Sequence, residues 1–257
     1  MALELITIPC LSNNYAFLVH DPVTKDTALI DVPEAAPILE ALAARGWTLT
    51  DVLLTHHHWD HIDGLPDLLA GLPAKPRVWG AAADAHRLPP LDHTLTDTDT
   101  PQICGEAVEI LDMPGHTVGH IAFYFPASGM LFSGDSLMVM GCGRLFEGTP
   151  AQMWNSLCKT ASLPDETLLL SGHEYTADNI AFALSLEPDN PHLISLASRV
   201  ADLRAAGTPT VPTTLAQERK TNPFLRAPDP SLKAALGMAT APDVDAFTEI
   251  RARKDAF

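Results

Sequence analysis

The stretch Thr55-His56-His57-His58-Trp59-Asp60-His61 constrains this chain more than any other. It follows Val52-Leu53-Leu54, an apolar run that predicts a buried strand, so ligand-type residues emerge where that strand ends. Side chains of an extended backbone alternate between faces, which puts His56 and His58 on one side and turns His57 away, toward a backbone carbonyl as its expected acceptor. A tighter turn through Trp59 brings Asp60 and His61 to a second point nearby. Three imidazoles and a carboxylate, offered in pairs, suit two divalent cations better than one structural zinc, which needs four ligands and no open position.

A single histidine pair would read as a solvated loop, but metal-ligand types recur downstream in the same context, each after an apolar run and beside a glycine. These are His116 in Pro114-Gly115-His116, Asp135 in Ser133-Gly134-Asp135, and His173 in Ser171-Gly172-His173. Two ligand sets can be assembled: His56, His58 and His116 make an all-imidazole site, and Asp60, His61 and His173 an oxygen-richer one. Asp135 is the natural bridge, because a carboxylate has two oxygens and two-metal sites hold their ions roughly 3.5 to 4 Å apart. Such a site activates water for attack on an electrophile, and Asp60 can both ligate and orient that nucleophile. His120 reads as a supporting or packing residue, and His20, His86, His93 and His192 as ordinary histidines. Cys142, in Gly141-Cys142-Gly143, reads as a tight-turn thiol. Serine-hydrolase and nucleotide-binding motifs are lacking.

The chain has 257 residues, 46% of them hydrophobic and 19% charged, which places it among globular proteins. No apolar run approaches the roughly 18 to 20 residues of a membrane span, and Met1 to Pro9 reads as a first strand rather than a signal peptide, so a cytoplasmic protein without membrane attachment is expected. Four scattered cysteines without a CxxC pair predict small buried thiols in a reduced chain. The formal net charge of −16 argues against nucleic acid as a partner. The charge is uneven, however: residues 1–173 hold 7 Lys and Arg against 21 Asp and Glu, and residues 174–257 hold 9 against 11. An anionic substrate would therefore be held by the last third.

Apolar runs at Leu3–Ile8, Tyr15–His20, Thr27–Asp31, Val52–Thr55, Arg77–Trp79, Val108–Leu111, Ile121–Phe125, Met130–Phe132 and Thr167–Leu170 predict strands. Helical spacing appears over Pro33–Arg45, Gly64–Leu72 and Ala151–Leu163. Beyond Tyr175 only helices are expected, at Asn179–Leu186, Leu193–Ala206 and Asp243–Lys254, with Gly207–Pro230 an irregular connector. The pattern predicts an α/β protein: a four-layer αββα sandwich over residues 1–173 and a C-terminal helical domain over 174–257.

The motifs THHHWDH, PGHTVGH, GD at Asp135 and GH at His173 resemble the metallo-β-lactamase superfamily. The opening IPCLSNNYAFLV, the loop GCGRLFEGT, GHEYT with NPFLR, and the closing RARKDAF narrow the resemblance to the glyoxalase II, or hydroxyacylglutathione hydrolase, family. The resemblance implies the metallo-β-lactamase fold and hydrolysis of S-(2-hydroxyacyl)glutathione, typically S-D-lactoylglutathione, to D-lactate and glutathione, a step of methylglyoxal detoxification, by a hydroxide shared between two metal ions. It implies the same seven metal ligands, His56, His58, Asp60, His61, His116, Asp135 and His173. Zinc is the first expectation, and iron or manganese suits the same donors. Glutathione contacts map by similarity to Arg144, Phe146, Tyr175, Arg251 and Lys254, in a monomer whose partner is the small-molecule thioester. Arg251 and Lys254 lie three apart on one predicted helix face, able to clamp the glycine carboxylate of glutathione. Two positions depart from some relatives: Phe146 stands where they have Tyr, leaving only packing, and Arg144 where they have Lys, keeping charge but not geometry. A persulfide dioxygenase would share most ligands, and a vestigial metal-binding module would lack the chemistry; the GCGRLFEGT loop and the intact ligand series favour the hydrolase.

Overall fold

Apolar β-branched and aromatic residues open the chain as Glu4–Cys10 (β1), Asn14–His20 (β2) and Thr27–Ile30 (β3), which pair antiparallel with Cys10 opposite Asn14 and Phe17 opposite Ile30. The computed structural model describes residues 2–257. A helix, Ala35–Arg45 (α1), ends on Gly46 at φ 65°, a left-handed cap that glycine adopts at little cost. It returns the chain so that Asp51–Leu53 (β4) joins β3 in parallel. One helical turn, Trp59–Ile62 (α2), and Leu65–Gly71 (α3) lead to Arg77–Ala81 (β5) and His93–Leu95 (β6), both parallel additions that complete a six-stranded sheet in sequence order.

Every residue of β2 is buried, as expected of a strand covered on both faces. Ala16 and Leu18 join Ile38 and Leu42 of α1 and Leu65 and Leu68 of α3 in one apolar cluster. Phe17, pointing the other way, packs on Phe132 with ring centroids 5.6 Å apart, and Phe132 packs on Phe125 at 5.5 Å. Both belong to a second ladder. After a small hairpin, Gln102–Ile103 (β7) and Glu106–Ala107 (β8), the strands Glu109–Asp112 (β9), Ile121–Phe125 (β10) and Met130–Gly134 (β11) run antiparallel. These elements form one compact unit, the chain up to Met113 with Val118–Gly134.

The second compact unit comprises Pro114–Thr117 and Asp135–Phe257. It begins with a hairpin, Leu137–Met138 (β12) and Gly141–Cys142 (β13). Pro150–Cys158 (α4) follows, started by a capping box between Thr149 and Gln152. Then come Leu168–Ser171 (β14), Thr176–Leu186 (α5) and Pro191–Ala205 (α6). Thr213–Thr214 (β15), Leu215–Thr221 (α7), Pro230–Ala235 (α8) and Asp243–Ala256 (α9) complete it. Rings of Trp154, Phe182, Phe224 and Phe247 pack in its interior.

Three expectations need correction. The stretch 207–230 is not an irregular connector: it contains β15, which pairs Thr214 with Leu168 of β14, and α7, whose N-terminus Thr214 caps by accepting from Gln217 N–H. A two-residue strand and a seven-residue helix are too short for periodicity to register, although Thr-x-x-Gln is itself a helix-start signal. The region beyond Tyr175 therefore includes a strand. Of the four thiols, Cys10, Cys104 and Cys142 are buried, but Cys158 at the end of α4 is exposed.

Truncating Phe132→Ala removes the ring that Phe17 and Phe125 share and leaves a cavity. Its unfolding free energy in urea is expected to drop by about 3–5 kcal/mol.

Candidate metal centre

In the first unit, the residues that end β3 and β4 gather one set of possible metal donors. Asp31 follows β3 in the left-handed region at φ 57° and is 2% exposed. Thr55 donates to it twice, from its backbone N–H and from its hydroxyl, each at 2.8 Å. The Nδ1 of His61 lies 2.8 Å from the same carboxylate. A carboxylate can only accept there, so His61 carries its proton on Nδ1 and presents the Nε2 lone pair. His56 Nδ1 sits 3.0 Å from Thr55 Oγ1, which already donates to Asp31, so its Nε2 is presented in the same way. The rings of His56 and His58 lie 4.8 Å apart, those of His56 and His61 4.2 Å. Donor atoms of Asp31, His56 and His61 all fall within 4.8 Å of one another. The Asp31 oxygens are engaged by Thr55 and His61, so Asp31 orients the His61 ring.

Asp60, on α2, places Oδ2 4.0 Å from His61 Nε2. Asn14 holds it, donating to Oδ2 at 3.1 Å and to its backbone carbonyl at 3.0 Å. His57 is turned away as the alternation requires, but its partner is the buried Asp84 carboxylate at 2.9 Å, not a backbone carbonyl. Asp84 also receives Arg87 Nε at 3.1 Å, so the site prefers an acceptor with full charge. His120 is buried and stacks on His56 at 4.8 Å, a packing role.

In the second unit, Asp135 Oδ2 lies 3.5 Å from His116 Nε2 and 3.2 Å from His173 Nε2. All three side chains are nearly inaccessible to solvent. The Arg144 carbonyl accepts from His116 Nδ1 at 2.7 Å, which again presents Nε2. Gly143 backs onto this pair so closely that a Cβ there would sit 2.1 Å from the Asp135 carbonyl oxygen. His173 stacks on Tyr175 at 4.6 Å, nearly parallel, and Phe146 meets the edge of His116 at 5.4 Å while remaining exposed. Imidazoles with Nδ1 pinned to acceptors, beside buried carboxylates, are the donor chemistry that divalent cations require. The residues present fit such ions.

The cationic residues gather on α9. Arg251 is buried; its Nη1 donates to the Cys142 carbonyl at 2.9 Å, its Nη2 to Asp255 at 2.8 Å, and its guanidinium lies over the Phe224 ring. Arg144 is exposed, with Nε 3.7 Å from the same Asp255 carboxylate. Lys254 lies over the rings of Phe182 and Phe257, and burial, reinforced by Arg251, lowers its pKa. Burial pushes the Cys142 thiol up to about 11, which agrees with a structural thiol rather than a nucleophile. Sequence reasoning missed Asp31, Asn14 and Asp84. Asp31 carried a usable signal, since like the predicted ligands it closes an apolar strand.

Residues 12–173 match the metallo-beta-lactamase superfamily and residues 174–257 match the hydroxyacylglutathione hydrolase C-terminus. A hydroxyacylglutathione hydrolase of Jannaschia sp. (strain CCS1) is 63% identical over 99% of this chain and 98% of its own length. The chain belongs to the hydroxyacylglutathione hydrolase family. Another member, from Fuscovulum blasticum, is 60% identical over the whole of both chains. Among solved structures, the BLEG-1 B3 metallo-beta-lactamase has a TM-score of 0.67 at 22% identity, covering 86% of this chain and 99% of that one, which with the match over residues 12–173 places this family member in the metallo-β-lactamase fold of the α/β class. TTHA1623, crystallised in a di-iron-bound form, has a TM-score of 0.62 at 26% identity over 86% of this chain and all of its own. The chain is a metal-dependent hydrolase.

Asp31→Asn leaves one acceptor oxygen where two are used, so its NH2 must face either the Thr55 N–H or the Thr55 hydroxyl and His61 Nδ1–H, and the set that orients His61 is broken in either case. Metal affinity, measured by chelator competition, is expected to weaken roughly 10- to 100-fold.

Proposed function

We propose that this hydrolase cleaves the thioester of S-(2-hydroxyacyl)glutathione, typically S-D-lactoylglutathione, giving the hydroxy acid, D-lactate, and glutathione. His56, His58 and His116 would hold one divalent ion and Asp60, His61 and His173 the other, with Asp135 offered to both. Zinc is the ion proposed, although borderline nitrogen and oxygen donors also accept iron and manganese. The observation that carries this reading is Asp135 Oδ2 lying close to both His116 Nε2 and His173 Nε2, imidazoles assigned to different ions. When bound, the ions supply Lewis acidity, which lowers the pKa of water and offsets charge developing on the carbonyl oxygen. Asp60, held by Asn14, accepts a proton from the attacking water and keeps it in line with the carbonyl. Thiolate is a good leaving group, with a free-thiol pKa of about 8.5, so no general acid is required at sulfur.

Residues 1–173 carry the hydrolytic groups in this reading, and residues 174–257 supply most of the glutathione contacts. Glutathione is anionic, and Arg144, Arg251 and Lys254 are the cations offered to it, with Tyr175 and Phe146 providing apolar contact. Asp255, on which both guanidinium groups rest, occupies the position of an internal counter-carboxylate that a substrate carboxylate would replace or join. Binding of this remote arm positions the carbonyl rather than activating it. A cytoplasmic monomer is proposed; no described helix is long and apolar enough to cross a membrane.

Asp135→Ala is expected to lower kcat for lactoylglutathione roughly 10²-fold or more and to reduce the metal content of the purified protein. Unchanged turnover would sink the two-metal reading. Joint replacement, Arg251→Ala with Lys254→Ala, is expected to raise KM for lactoylglutathione by roughly 10- to 100-fold, and any fall in kcat from losing the Arg251 bond to the Cys142 carbonyl should be the same for all thioesters. A small thioester without the peptide should show no such rise; an equal rise for it would rule out the clamp.

A further inference from the structure

We infer that Glu218 and Asn222 are positioning residues for the metal ligands Asp135 and His116, acting through the hairpin formed by β12 and β13. The inference rests on the reading that Asp135 and His116 hold metal.

The two-residue turn of this hairpin, Val139-Met140, puts Met140 at φ 62°, a backbone conformation that a side chain with a Cβ disfavours. Its backbone groups are met by side chains from the helical segments that follow. Glu218 Oε2 accepts the Met140 N–H at 2.7 Å and an Asn222 amide hydrogen at 2.9 Å. The same Asn222 nitrogen lies 3.2 Å from the Met138 carbonyl and 3.0 Å from the Gly141 carbonyl. Asn179 donates to the Val139 carbonyl at 3.0 Å, and Gly141 packs against its amide too closely for a Cβ. Glu218 and Asn222 are both fully buried.

The return arm of the hairpin is where this matters. Gly143 donates to the Ser136 carbonyl at 3.3 Å and lies directly against Asp135 and the His116 ring, and the next residue, Arg144, accepts from His116 Nδ1. A shift of the Met140 turn is therefore carried into one ligand's backbone and the other's ring. Both hydrogen bonds that reach Glu218 Oε2 come from N–H donors, so an acceptor oxygen is what the turn needs of it, and burial pushes the Glu218 carboxyl up to about 7. Glutamine can supply that oxygen; alanine cannot.

The test compares Glu218→Ala with Glu218→Gln in the full-length protein. Glu218→Ala is expected to keep a cooperative thermal melt but to bind metal at least about tenfold more weakly in chelator competition and to lose at least about tenfold in kcat, with KM for lactoylglutathione nearly constant. The ligand-field spectrum of its cobalt-substituted form should differ from that of the parent. Glu218→Gln should restore affinity, spectrum and kcat together. Parent-like metal affinity, spectrum and kcat in Glu218→Ala would overturn the inference, as would a Gln variant no better than the Ala one. Asp135→Ala serves as the control: if it loses metal while Glu218→Ala does not, only the positioning role fails; if it keeps its metal, the two-metal reading falls and the inference with it. Should Glu218→Ala not fold, amide exchange of the parent chain decides: Met140 N–H stays protected after metal removal if Glu218 holds the turn, and exchange at the rate of an open loop overturns the inference.

Discussion

A carboxylate with almost no access to water, Asp31, holds the donor geometry of the first unit together. An isolated buried carboxylate costs several kcal/mol, and this one is tolerated because the Thr55 amide, the Thr55 hydroxyl and His61 all meet it. Those partners lie on the segment that carries His56, His58, Asp60 and His61, so satisfying Asp31 fixes where His61 points and seats the Thr55 hydroxyl that meets His56. Remove the carboxylate and His61 loses the hydrogen bond that chooses its tautomer, while the Thr55 hydroxyl, no longer donating to Asp31, loses the constraint that makes it an acceptor for His56 Nδ1. The left-handed backbone at Asp31 is part of the same arrangement, since it turns the carboxylate across to the end of β4.

The second unit applies the same rule with a backbone group in place of a side chain. His116 is oriented by the Arg144 carbonyl, and the segment that brings this carbonyl into place is the hairpin whose turn is gripped by Asn179, Glu218 and Asn222. Arg251, read from sequence as a cation for the substrate, also grips this hairpin through the Cys142 carbonyl. Its burial under Asp255 and against Phe224 makes it as much a structural clamp as a binding group. One arginine thus links the hairpin beside Asp135 and His116 to the helix α9.

Much of the fold was legible because its signals are local. The runs that became β2, β10 and β11 are continuous and apolar, as strands covered on both faces must be, and Gly46 marked the end of α1. What escaped was short or non-local. The pairing of Thr213-Thr214 with β14 depends on where that strand lies in space, and α7 has too few turns to show a stripe. The helical stretch after Tyr175 was recognisable, but its grip on the Leu137–Cys142 hairpin was not. His57 illustrates the same limit: alternation turned its ring away correctly, yet only the fold could supply Asp84 as its partner.

By itself the sequence determined the kind of chemistry, because nitrogen and oxygen donors, their order and their place at strand ends are properties of short segments. The charge distribution pointed only to an anionic substrate, and the glutathione thioester was implied by the resemblance of the motif series to the hydroxyacylglutathione hydrolase family. Only the tertiary structure decided how those donors are aimed. The groups that aim them are partners such as Asp31 with Thr55, Asn14 with Asp60 and Glu218 with Met140, 24, 46 and 78 residues apart. A hydrogen bond across such a gap leaves no periodic trace in the chain, since it is set by where strands and turns come to rest and by the requirement that buried polar groups find partners.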